Sequence, residues 1–419
     1  MSMGENKRYI AVIDLKAFYA YVECLDRGLD PWKAPLIVAD KERGKNTIIL
    51  SVSPYLKAHG VPSRLRMKEL PKGFNYIYAT PRMERYIHRS CEVVNVFLDF
   101  VDQSDIHVYS IDEAFLDLTS YLKYYKKDAV ELVRTIIEAV KEKTGLQATG
   151  GVGNNFFQAK VALDIYAKKS PEWIGTLFDE DVQTKLWPIT PLRDIWGIGP
   201  HTEQKLNRMG IFTVEELANS NRDLFIKKFG IMGEQLIDHA NGIDEADIHE
   251  VYTPKETSIT FGQTLFRDYT KEETVTLIRE LNDDLSMKLR GRGEVTSVVH
   301  LSIIYSSNLG GFSHQMSLVR PSDDTDELLE TLLIIYNKYC LDLPIRGVHV
   351  AYGKLTPRSK TTQLDLFVSP EEQESKHNLQ LMIDELHNKY GKDIILRMSA
   401  LTEASTAKER HSFIGGHRK

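Results

Sequence analysis

Residues 106–119, IHVYSIDEAFLDLT, alternate apolar and polar side chains on both sides of a short polar break. Alternation with a period of two is typical of β-strands, so the stretch predicts a hairpin with Asp112 and Glu113 at its tip. Upstream, residues 8–15 (RYIAVIDL) form an apolar run that carries the acid Asp14 near its end. Because the ends of antiparallel strands can lie side by side, we expect these acids to meet at one edge of a sheet.

The segments around the hairpin predict a β-α-β-β-α-β order across residues 8–155, with one inserted segment. Helical spacing of apolar residues marks residues 16–28, 81–102 and 129–145. Residues 146–155 (LQATGGVGNN) predict a strand that runs into a glycine-rich turn. This order is typical of a ferredoxin-like α+β sheet.

The rest of the chain changes in character twice. Short helices separated by turn signals fill residues 171–250, and residues 256–355 contain a second β-α-β-β-α-β set. The polar, Pro- and Ser-rich stretch after residue 356 predicts a flexible linker or tail, in which residues 369–391 can form one amphipathic helix. A chain of 419 residues is too long for one ordinary domain, so we expect a multidomain protein.

Composition leaves the function open but narrows the class of protein. Hydrophobic residues make up 42% and charged residues 27%, which is normal for a globular protein, and no apolar run is long enough to cross a bilayer. The three cysteines form no CxxC pair, which argues against a disulfide framework and a cysteine zinc site. No signal peptide is visible, so we expect a cytoplasmic protein. The net charge of −6 counts against nucleic-acid binding unless basic residues are concentrated on one face.

The acids Asp14, Asp112 and Glu113 would form a charged cleft. Three converging carboxylates repel one another unless divalent cations neutralise them. Two such cations about 4 Å apart suit an in-line phosphoryl displacement, because one activates the attacking hydroxyl and the other stabilises the departing pyrophosphate. The alternative is that an Asp-Glu pair in a turn is only solvated charge.

The context of these acids resembles a known family. Residues 14–23 (DLKAFYAYVE) and 109–118 (YSIDEAFLDL) are similar to the two catalytic motifs of Y-family translesion DNA polymerases, in particular the UmuC-, UvrX- and DinB-like bacterial and phage branch. The resemblance extends in order over residues 8–355 and implies error-prone, DNA-directed DNA synthesis opposite damaged bases, in DNA repair and SOS mutagenesis. It also implies a right-hand α+β architecture with these parts: a ferredoxin-like palm (1–24 and 81–170), small fingers (25–80), a helical helix-hairpin-helix thumb (171–245), an α+β little finger (246–356) and a flexible C-terminal tail (357–419).

The resemblance implies a role for each acid and for one aromatic residue. Asp14 and Asp112 would bridge two Mg²⁺ ions, and Glu113 would bind the ion at the primer hydroxyl. The carbonyl of Leu15 would be a further ligand. Tyr19 corresponds to the steric gate, the aromatic residue whose face excludes a ribose 2′-hydroxyl.

Further residues are expected around the incoming nucleotide. Phe18 lies beside the gate, although packing in the core is its simpler role. Tyr55 and Lys57 stand where many family members have a Tyr and an Arg that hold the triphosphate, and a Lys is a point charge without the fork of an Arg. Lys168 corresponds to a triphosphate lysine of the family. The family often has an aromatic residue in place of Ala17, so looser sugar contacts are expected. The rival candidates for the triphosphate contacts are Arg64, Arg66 and Lys169.

DNA-binding parts are expected in the thumb and in the little finger. Gly197-Ile198-Gly199 lies between two short helices and resembles the hairpin of a helix-hairpin-helix, and Lys205 follows in the second helix. The backbone N–H groups of such a hairpin hold a DNA phosphate without reading the base sequence. The little finger offers three arginines as backbone contacts, and solvated surface arginine is the alternative for each: Arg290, Arg292 and Arg320.

Residues 363–367 (QLDLF) lie in the expected tail and resemble the bacterial sliding-clamp-binding motif. Exposed Leu and Phe have no folding purpose in a disordered stretch, so a partner pocket explains them; a turn packed on the little finger is the alternative. The resemblance implies that Gln363 forms hydrogen bonds and that Leu366 and Phe367 are the anchors. Leu364 completes the motif.

The combined prediction is a monomeric catalytic chain, associated with the nucleoid, that uses primer–template DNA, dNTPs, two Mg²⁺ ions and a sliding clamp. One alternative is a non-catalytic DNA- and clamp-binding accessory subunit, although such a scaffold has no need of a costly acidic cluster. A second alternative is a two-metal nuclease or cyclase on the same sheet, which has no use for a gate tyrosine, a thumb or a clamp peptide.

Overall fold

The computed structural model describes residues 7–250, 257–307, 309–359 and 369–419. Its contacts divide the chain into an N-terminal unit, up to Val251, and a C-terminal unit, Tyr252–Arg418. The strands of the N-terminal unit are β1 (Ile10–Leu15), β2 (Leu36–Val38), β3 (Ser51–Val52), β4 (Ile77–Ala79), β5 (Ile106–Val108), β6 (Glu113–Asp117), β7 (Ala148–Gly153) and β8 (Ile174–Leu177). Its helices are α1 (Phe18–Asp26), α2 (Pro54–Ala58), α3 (Met83–Leu98), α4 (Leu122–Tyr125), α5 (Ala129–Thr144), α6 (Phe156–Val161), α7 (Pro200–Asn207), α8 (Val214–Ala218), α9 (Arg222–Phe229) and α10 (Ile231–Ala240).

The central sheet of the N-terminal unit has the strand order β5-β6-β1-β7-β8. The pairs β5–β6, β6–β1 and β1–β7 are antiparallel, as the β-α-β-β-α-β prediction requires, and β8 is added parallel to β7 at the edge. The hairpin predicted from residues 106–119 is therefore confirmed. Its second strand lies directly against β1, which brings the predicted acids to one end of adjacent strands.

The glycines of β7 allow α6 to lie directly on the strand. A Cβ on Gly151 would come within 2.2 Å of the Ala159 carbonyl oxygen, and one on Gly153 within 2.6 Å of the Ala159 backbone nitrogen. No side chain fits in that space. The glycine-rich sequence that predicted a turn is therefore mostly a buried strand, and its small residues position the helix that follows.

A second, smaller sheet forms from the inserted segment. Its order is β3-β2-β4, with β2 and β4 parallel, and α2 packs beside it. Its core consists of Ile37, Ala39, Ile49, Val52, Leu56 and Val61. Beyond the central sheet, helices α7 to α10 surround a separate apolar core that includes Leu206, Leu217, Phe225 and Leu236. These two parts lie in the segments where fingers and a thumb are predicted.

The C-terminal unit confirms the second β-α-β-β-α-β set. Its elements are β9 (Ser258–Tyr269), α11 (Lys271–Gly291), β10 (Glu294–Tyr305), β11 (Gly311–Ser322), α12 (Thr325–Tyr339), β12 (Ile345–Gly353), β13 (Thr356–Pro357), α13 (Pro370–Tyr390), α14 (Ala407–His411), β14 (Phe413–Ile414) and β15 (His417–Arg418). The main sheet has the order β11-β10-β12-β9, which differs from the order of the central sheet. Leu277, Leu281 and Leu285 of α11 and Leu328, Leu332 and Ile335 of α12 pack on one face of this sheet.

The prediction of a flexible tail is wrong for residues 369–419. The helix predicted within the tail is present as α13, but the segment packs against the acidic side of α11. Lys392 pairs with Asp284 at 2.5 Å, and Arg410 pairs with Glu280 at 3.2 Å and with Asp284 at 3.0 Å. Charge complementarity between distant parts of the sequence therefore orders this segment. Within the described ranges, none of the helices has the length and apolar character needed to span a membrane.

Candidate active site

The three predicted acids meet at the ends of β1 and β6. Asp14 is the direct cross-strand partner of Glu113. The backbone N–H of Leu15 donates to the Asp112 carbonyl at 2.8 Å, which holds the hairpin tip against β1. The Asp112 carboxylate accepts a hydrogen bond of 2.8 Å from the Ser110 hydroxyl. The antiparallel register thus places acids that are distant in sequence at adjacent positions.

Asp14 is the most perturbed of these acids. Burial raises its pKa to about 7, and the negative charges of Asp112 and Glu113 add to this effect. The positive charges of Lys168 and Lys160 oppose it. Burial is the largest cause of this shift, and a bound cation would favour the ionised form of Asp14.

Lys160 lies at the candidate site although it was not among the residues predicted from the sequence. Its ammonium lies 2.8 Å from the Glu113 carboxylate and 3.4 Å from Asp164, and its side chain is 9% exposed. Asp164 in turn pairs with Lys168 at 2.6 Å. The four-residue spacing of these pairs is local, but the contact of Lys160 with Glu113 depends on the packing of α6 against the sheet.

Lys57 and Lys168 both lie near the acids, as predicted for triphosphate contacts. Burial lowers the pKa of Lys57, while Asp14 and Asp112 act in the opposite direction, so its charge faces both acids. The backbone N–H of the rival Arg66 donates to Glu69 within its own turn. Lys57, Arg64 and Arg66 all remain candidates for the triphosphate contact.

Lys16 is a third lysine of this group, and the sequence analysis did not select it. Burial lowers its pKa to about 8, with further lowering by Lys57 and Lys168 and an opposite effect of Asp14. Its ammonium lies over the rings of two tryptophans, Trp32 and Trp173. The acids are therefore bordered by lysines from several elements of the N-terminal unit.

Tyr19 lies near the acids, and its ring packs against the ring of Tyr86. Its ring lies 4.6 Å from the ring of Tyr86 between centroids, and burial followed by the charge of Asp112 raises its pKa. The Tyr86 hydroxyl donates to the fully buried Glu23 at 2.8 Å, and Arg82 donates to the same carboxylate oxygen at 2.9 Å. This buried network joins α1 to α3 and fixes the orientation of the aromatic pair.

Phe18 and Tyr55 differ in their exposure. Phe18 is only 3% exposed and packs against Tyr86 at 6.4 Å, so its prediction as a nucleotide contact is contradicted and its role is in the core. Tyr55 is half-buried at the start of α2, and its ring contacts the tilted ring of His59 with 4.2 Å between centroids. Tyr55 thus remains accessible to a ligand on the fingers.

The acids offer the oxygen ligands that a magnesium site needs, but their side chains are not arranged around one ion position. Across the described ranges, no group of three or more His, Cys, Asp or Glu side chains is placed to hold a metal ion. Carboxylate and carbonyl oxygens are the ligands that suit Mg²⁺. Glu113 is already paired with Lys160. The residues therefore fit the ion in type but are not placed as a closed ion site, and Glu113 can bind an ion only if it exchanges partners.

The predicted hairpin of the thumb is present. Gly197 adopts a φ of +90°, and a Cβ at Gly197 or Gly199 would meet no atom within 4 Å. Gly199 precedes α7, and Lys205 is exposed near the end of this helix. The hairpin therefore presents open backbone of the kind that a phosphate can approach.

The predicted arginines of the C-terminal unit have three different environments. Arg290 is 4% exposed and pairs with Asp384 at 2.7 Å, so its prediction as a DNA contact is contradicted. Arg292 is 48% exposed and lies 3.6 Å from Glu294. Arg320 is half-buried and lies in β11 at the parity of Leu318, which packs on the domain core. The clamp-motif residues Gln363, Leu364, Leu366 and Phe367 lie outside the described residues.

Protein-family models match most of the chain. A model described as the impB/mucB/samB family matches residues 13–164, and its C-terminal-domain counterpart matches residues 256–366. A model described as the IMS family HHH motif matches residues 179–211, which contain the thumb hairpin. These matches follow the order of parts predicted from the sequence.

Relatives of similar length match nearly the whole chain. The putative UV-damage repair protein UvrX of Bacillus subtilis is 34% identical over 98% of both chains. A protein named DNA polymerase IV 2 of Bacillus subtilis is 31% identical over 99% of this chain and 100% of its own.

A solved structure shares the fold. It is a Y-family DNA polymerase chimera of Dbh and Dpo4, with a TM-score of 0.66 and 21% identity, and the match covers 84% of this chain and all of the chimera. Together with the family matches and the nearly full-length relatives, the fold shows that the chain belongs to the Y family of DNA polymerases.

Proposed function

We propose that this chain is an error-prone DNA-directed DNA polymerase that adds dNTPs to a primer 3′-hydroxyl opposite damaged template bases. The observation that carries the proposal is the register that sets Asp14 opposite Glu113 and beside Asp112. Nucleotidyl transfer needs acidic side chains that hold cations and basic side chains that hold the phosphates. Both kinds of side chain border this site.

The acids would hold two Mg²⁺ ions through Asp14, Asp112, Glu113 and the Leu15 carbonyl. When bound, the ions supply activation of the primer hydroxyl and charge stabilisation of the leaving pyrophosphate. Asp14 loses its proton when positive charge arrives, because its pKa of about 7 reflects burial and neighbouring acids. Glu113 keeps a neutralising partner, Lys160, whenever no cation is bound.

The nucleotide would be held by side chains of the fingers and palm. Lys57 and Lys168 contact the triphosphate as point charges, and Tyr55 contacts it from the start of α2. The ring of Tyr19, supported by Tyr86, occupies the space that a ribose 2′-hydroxyl would need. Substrate selection for deoxyribose is thus steric and does not depend on a hydrogen bond to the sugar.

DNA would be held by the thumb and by the little finger. The thumb hairpin with Gly197, Gly199 and Lys205 contacts the backbone, and Arg292 and Arg320 contribute from the little finger. The fingers sheet consists of strands of two and three residues. Fingers of this size would surround the nascent base pair with little protein. A small surface of this kind checks the shape of the pair weakly, which permits lesion bypass and lowers fidelity. The relative named as a UV-damage repair protein supports this role.

The sliding clamp would bind residues 363–367, with Leu366 and Phe367 as anchors. This part of the proposal rests on the sequence motif. The double substitution Leu366→Ala and Phe367→Ala should abolish stimulation of primer extension by the clamp and leave extension without the clamp unchanged. Equal stimulation of both proteins would contradict the assignment.

Primer extension with Mg²⁺ on undamaged and abasic templates tests the central claim. We expect the wild type to extend both primers and Asp112→Asn to be slower by at least roughly 1,000-fold. Asp99→Asn is the matched control, because Asp99 lies on the surface in a pair with Lys143. A non-catalytic accessory subunit would bind DNA and clamp without extending either primer. A nuclease would shorten the labelled primer in the absence of dNTPs.

A further inference from the structure

The ammonium of Lys16 contacts two neighbouring tryptophan rings next to the acids. It lies 3.7 Å from the centroid of the Trp173 ring and 5.6 Å from that of Trp32, and the two ring centroids are 5.8 Å apart. Trp32 belongs to the fingers segment and Trp173 directly precedes β8, so the rings come from two parts of the N-terminal unit. Cation–π contacts of this geometry hold an ammonium without neutralising its charge.

The backbone of Trp173 has an unusual conformation that its hydrogen-bond partners hold in place. Trp173 has a φ of +60°, a left-handed conformation that is rare for bulky residues. Its carbonyl accepts a hydrogen bond of 2.8 Å from the Gly150 N–H of the central sheet, and its own N–H donates to the Ser170 carbonyl at 3.2 Å. Strain of this kind persists where the structure needs a side chain in one place, and here that place is above Lys16.

The charge of Lys16 is not compensated by any carboxylate contact. Among the residues with described positions, no carboxylate lies within ion-pair distance of Lys16 or Lys57, whereas Lys168 pairs with Asp164. The charges of Lys57 and Lys168 act on Lys16, so the three lysines repel one another. A polyanion placed among them would remove this repulsion, and Lys57 and Lys168 already have the triphosphate as their proposed ligand.

We propose that Lys16 is a third phosphate-binding lysine of the nucleotide site, which contacts the pyrophosphate part of the incoming dNTP while Trp32 and Trp173 hold its side chain in place. The α-phosphate must lie over the acids, where the new bond forms. The lysines border the acids, which leaves the β- and γ-phosphates as their ligands. This inference rests on the proposed polymerase function. It assigns a substrate contact to a residue that is not among the nucleotide-binding residues predicted from the sequence.

Steady-state extension kinetics with the full-length protein tests the role of Lys16. Lys16→Met keeps an unbranched side chain against the rings and removes the charge. We expect its KM for dNTP to rise about 10- to 30-fold, with kcat changed less than about threefold and the affinity for primer–template unchanged. Lys16→Arg should recover most of the loss. Lys33→Met is the matched control, because Lys33 lies one residue after Trp32, its side chain is 85% exposed, and it should leave KM unchanged.

Pyrophosphorolysis separates a phosphate contact from a structural role. Pyrophosphate retains the proposed ligand and lacks the base, the sugar and the α-phosphate, so Lys16→Met should raise the KM for pyrophosphate by a factor similar to that for dNTP. If Lys16 only joins the tryptophans, the variant will lose thermal stability and both KM values will stay at the wild-type level, which overturns the inference. If the wild type itself extends no primer, the proposed function fails first, and the two failures are thus distinguishable.

Discussion

At the scale of single residues, the buried acid Asp14 sets a pH dependence of stability. Folding raises its pKa from 3.8 to about 7, so the folded state binds the proton more tightly than the unfolded state between these values. Protonated Asp14 is compatible with burial, so its contribution to folding stability is fully retained below pH 4. This contribution is lost as the pH rises through 7, because the buried carboxyl group must then ionise. Asp14→Asn should stabilise the metal-free protein by about 2–4 kcal/mol at pH 8 and by almost nothing at pH 4.

Thermal unfolding in EDTA at the two pH values measures this difference. Asp99→Asn, on an exposed surface position, is the control and should show no such pH-dependent gain. Addition of Mg²⁺ should raise the Tm of the wild type more than that of Asp14→Asn, because the ion replaces the missing positive charge. A gain at pH 4 equal to that at pH 8 would show that Asp14 is not protonated in the folded state.

The gate residue Tyr19 gives a second prediction at this scale. Tyr19→Ala removes the ring that faces Asp112 and leaves Tyr86 in place, so a ribonucleotide can enter. We expect discrimination against ribonucleotides to fall by roughly 100-fold, measured as the ratio of kcat/KM for dNTP and rNTP. Phe18→Leu is the comparison, because Phe18 is buried and should alter stability more than discrimination. Unchanged discrimination in Tyr19→Ala would remove the gate assignment.

At the scale of elements, the helices and strands that show a clear periodicity of apolar residues could be predicted from the sequence. The hairpin at residues 106–119, the order of strands and helices, and α13 were all visible as patterns with period two or near 3.6. The meeting of Asp14 with the hairpin acids was predictable because antiparallel register restricts where strand ends lie. These features depend on neighbours in the sequence or on a simple pairing rule.

Features set by distant contacts were not predictable in this way. Arg290 looked like a surface arginine in the sequence RGRG, because its partner Asp384 is 94 residues away. Lys160 was overlooked for the same reason: its contact with Glu113 exists only once α6 packs on the glycines of β7. The tail appeared flexible because its composition is polar, whereas its basic residues are complementary to the acids of α11.

The contact between α11 and α13 makes a prediction about the C-terminal segment. Asp384→Ala leaves the guanidinium of Arg290 buried without its carboxylate, and we expect a loss of about 3 kcal/mol in the stability of this contact. Limited proteolysis should cut the segment faster in this variant, and chemical denaturation gives the size of the loss. Lys376→Met is the matched control, because its pairs with Asp324 and Asp326 are half exposed and worth less than about 1 kcal/mol. Equal protection of both variants would show that the pair does not hold α13.

At the scale of the whole molecule, a net charge of −6 must be reconciled with DNA binding. Some of the acids lie at the candidate active site, and others lie on α11, where Lys392 and the α14 residue Arg410 already neutralise them. The net charge therefore says little about the charge of the surface that binds DNA. The salt dependence of DNA binding measures the electrostatic contribution of that surface directly.

We expect the association constant for primer–template DNA to fall steeply with salt despite the negative total charge. Contacts to four or five phosphates would give a slope of about −4 in a plot of log K against log salt concentration, measured by fluorescence anisotropy with catalytically inactive Asp112→Asn. Lys205→Met should reduce this slope by about 1, because one phosphate contact of the thumb is lost. Lys143→Met should not change it, because that ammonium is paired with Asp99 at 2.6 Å. A slope near zero in the parent protein would mean that no basic face meets the DNA backbone, and the proposed thumb and little-finger contacts would then be wrong.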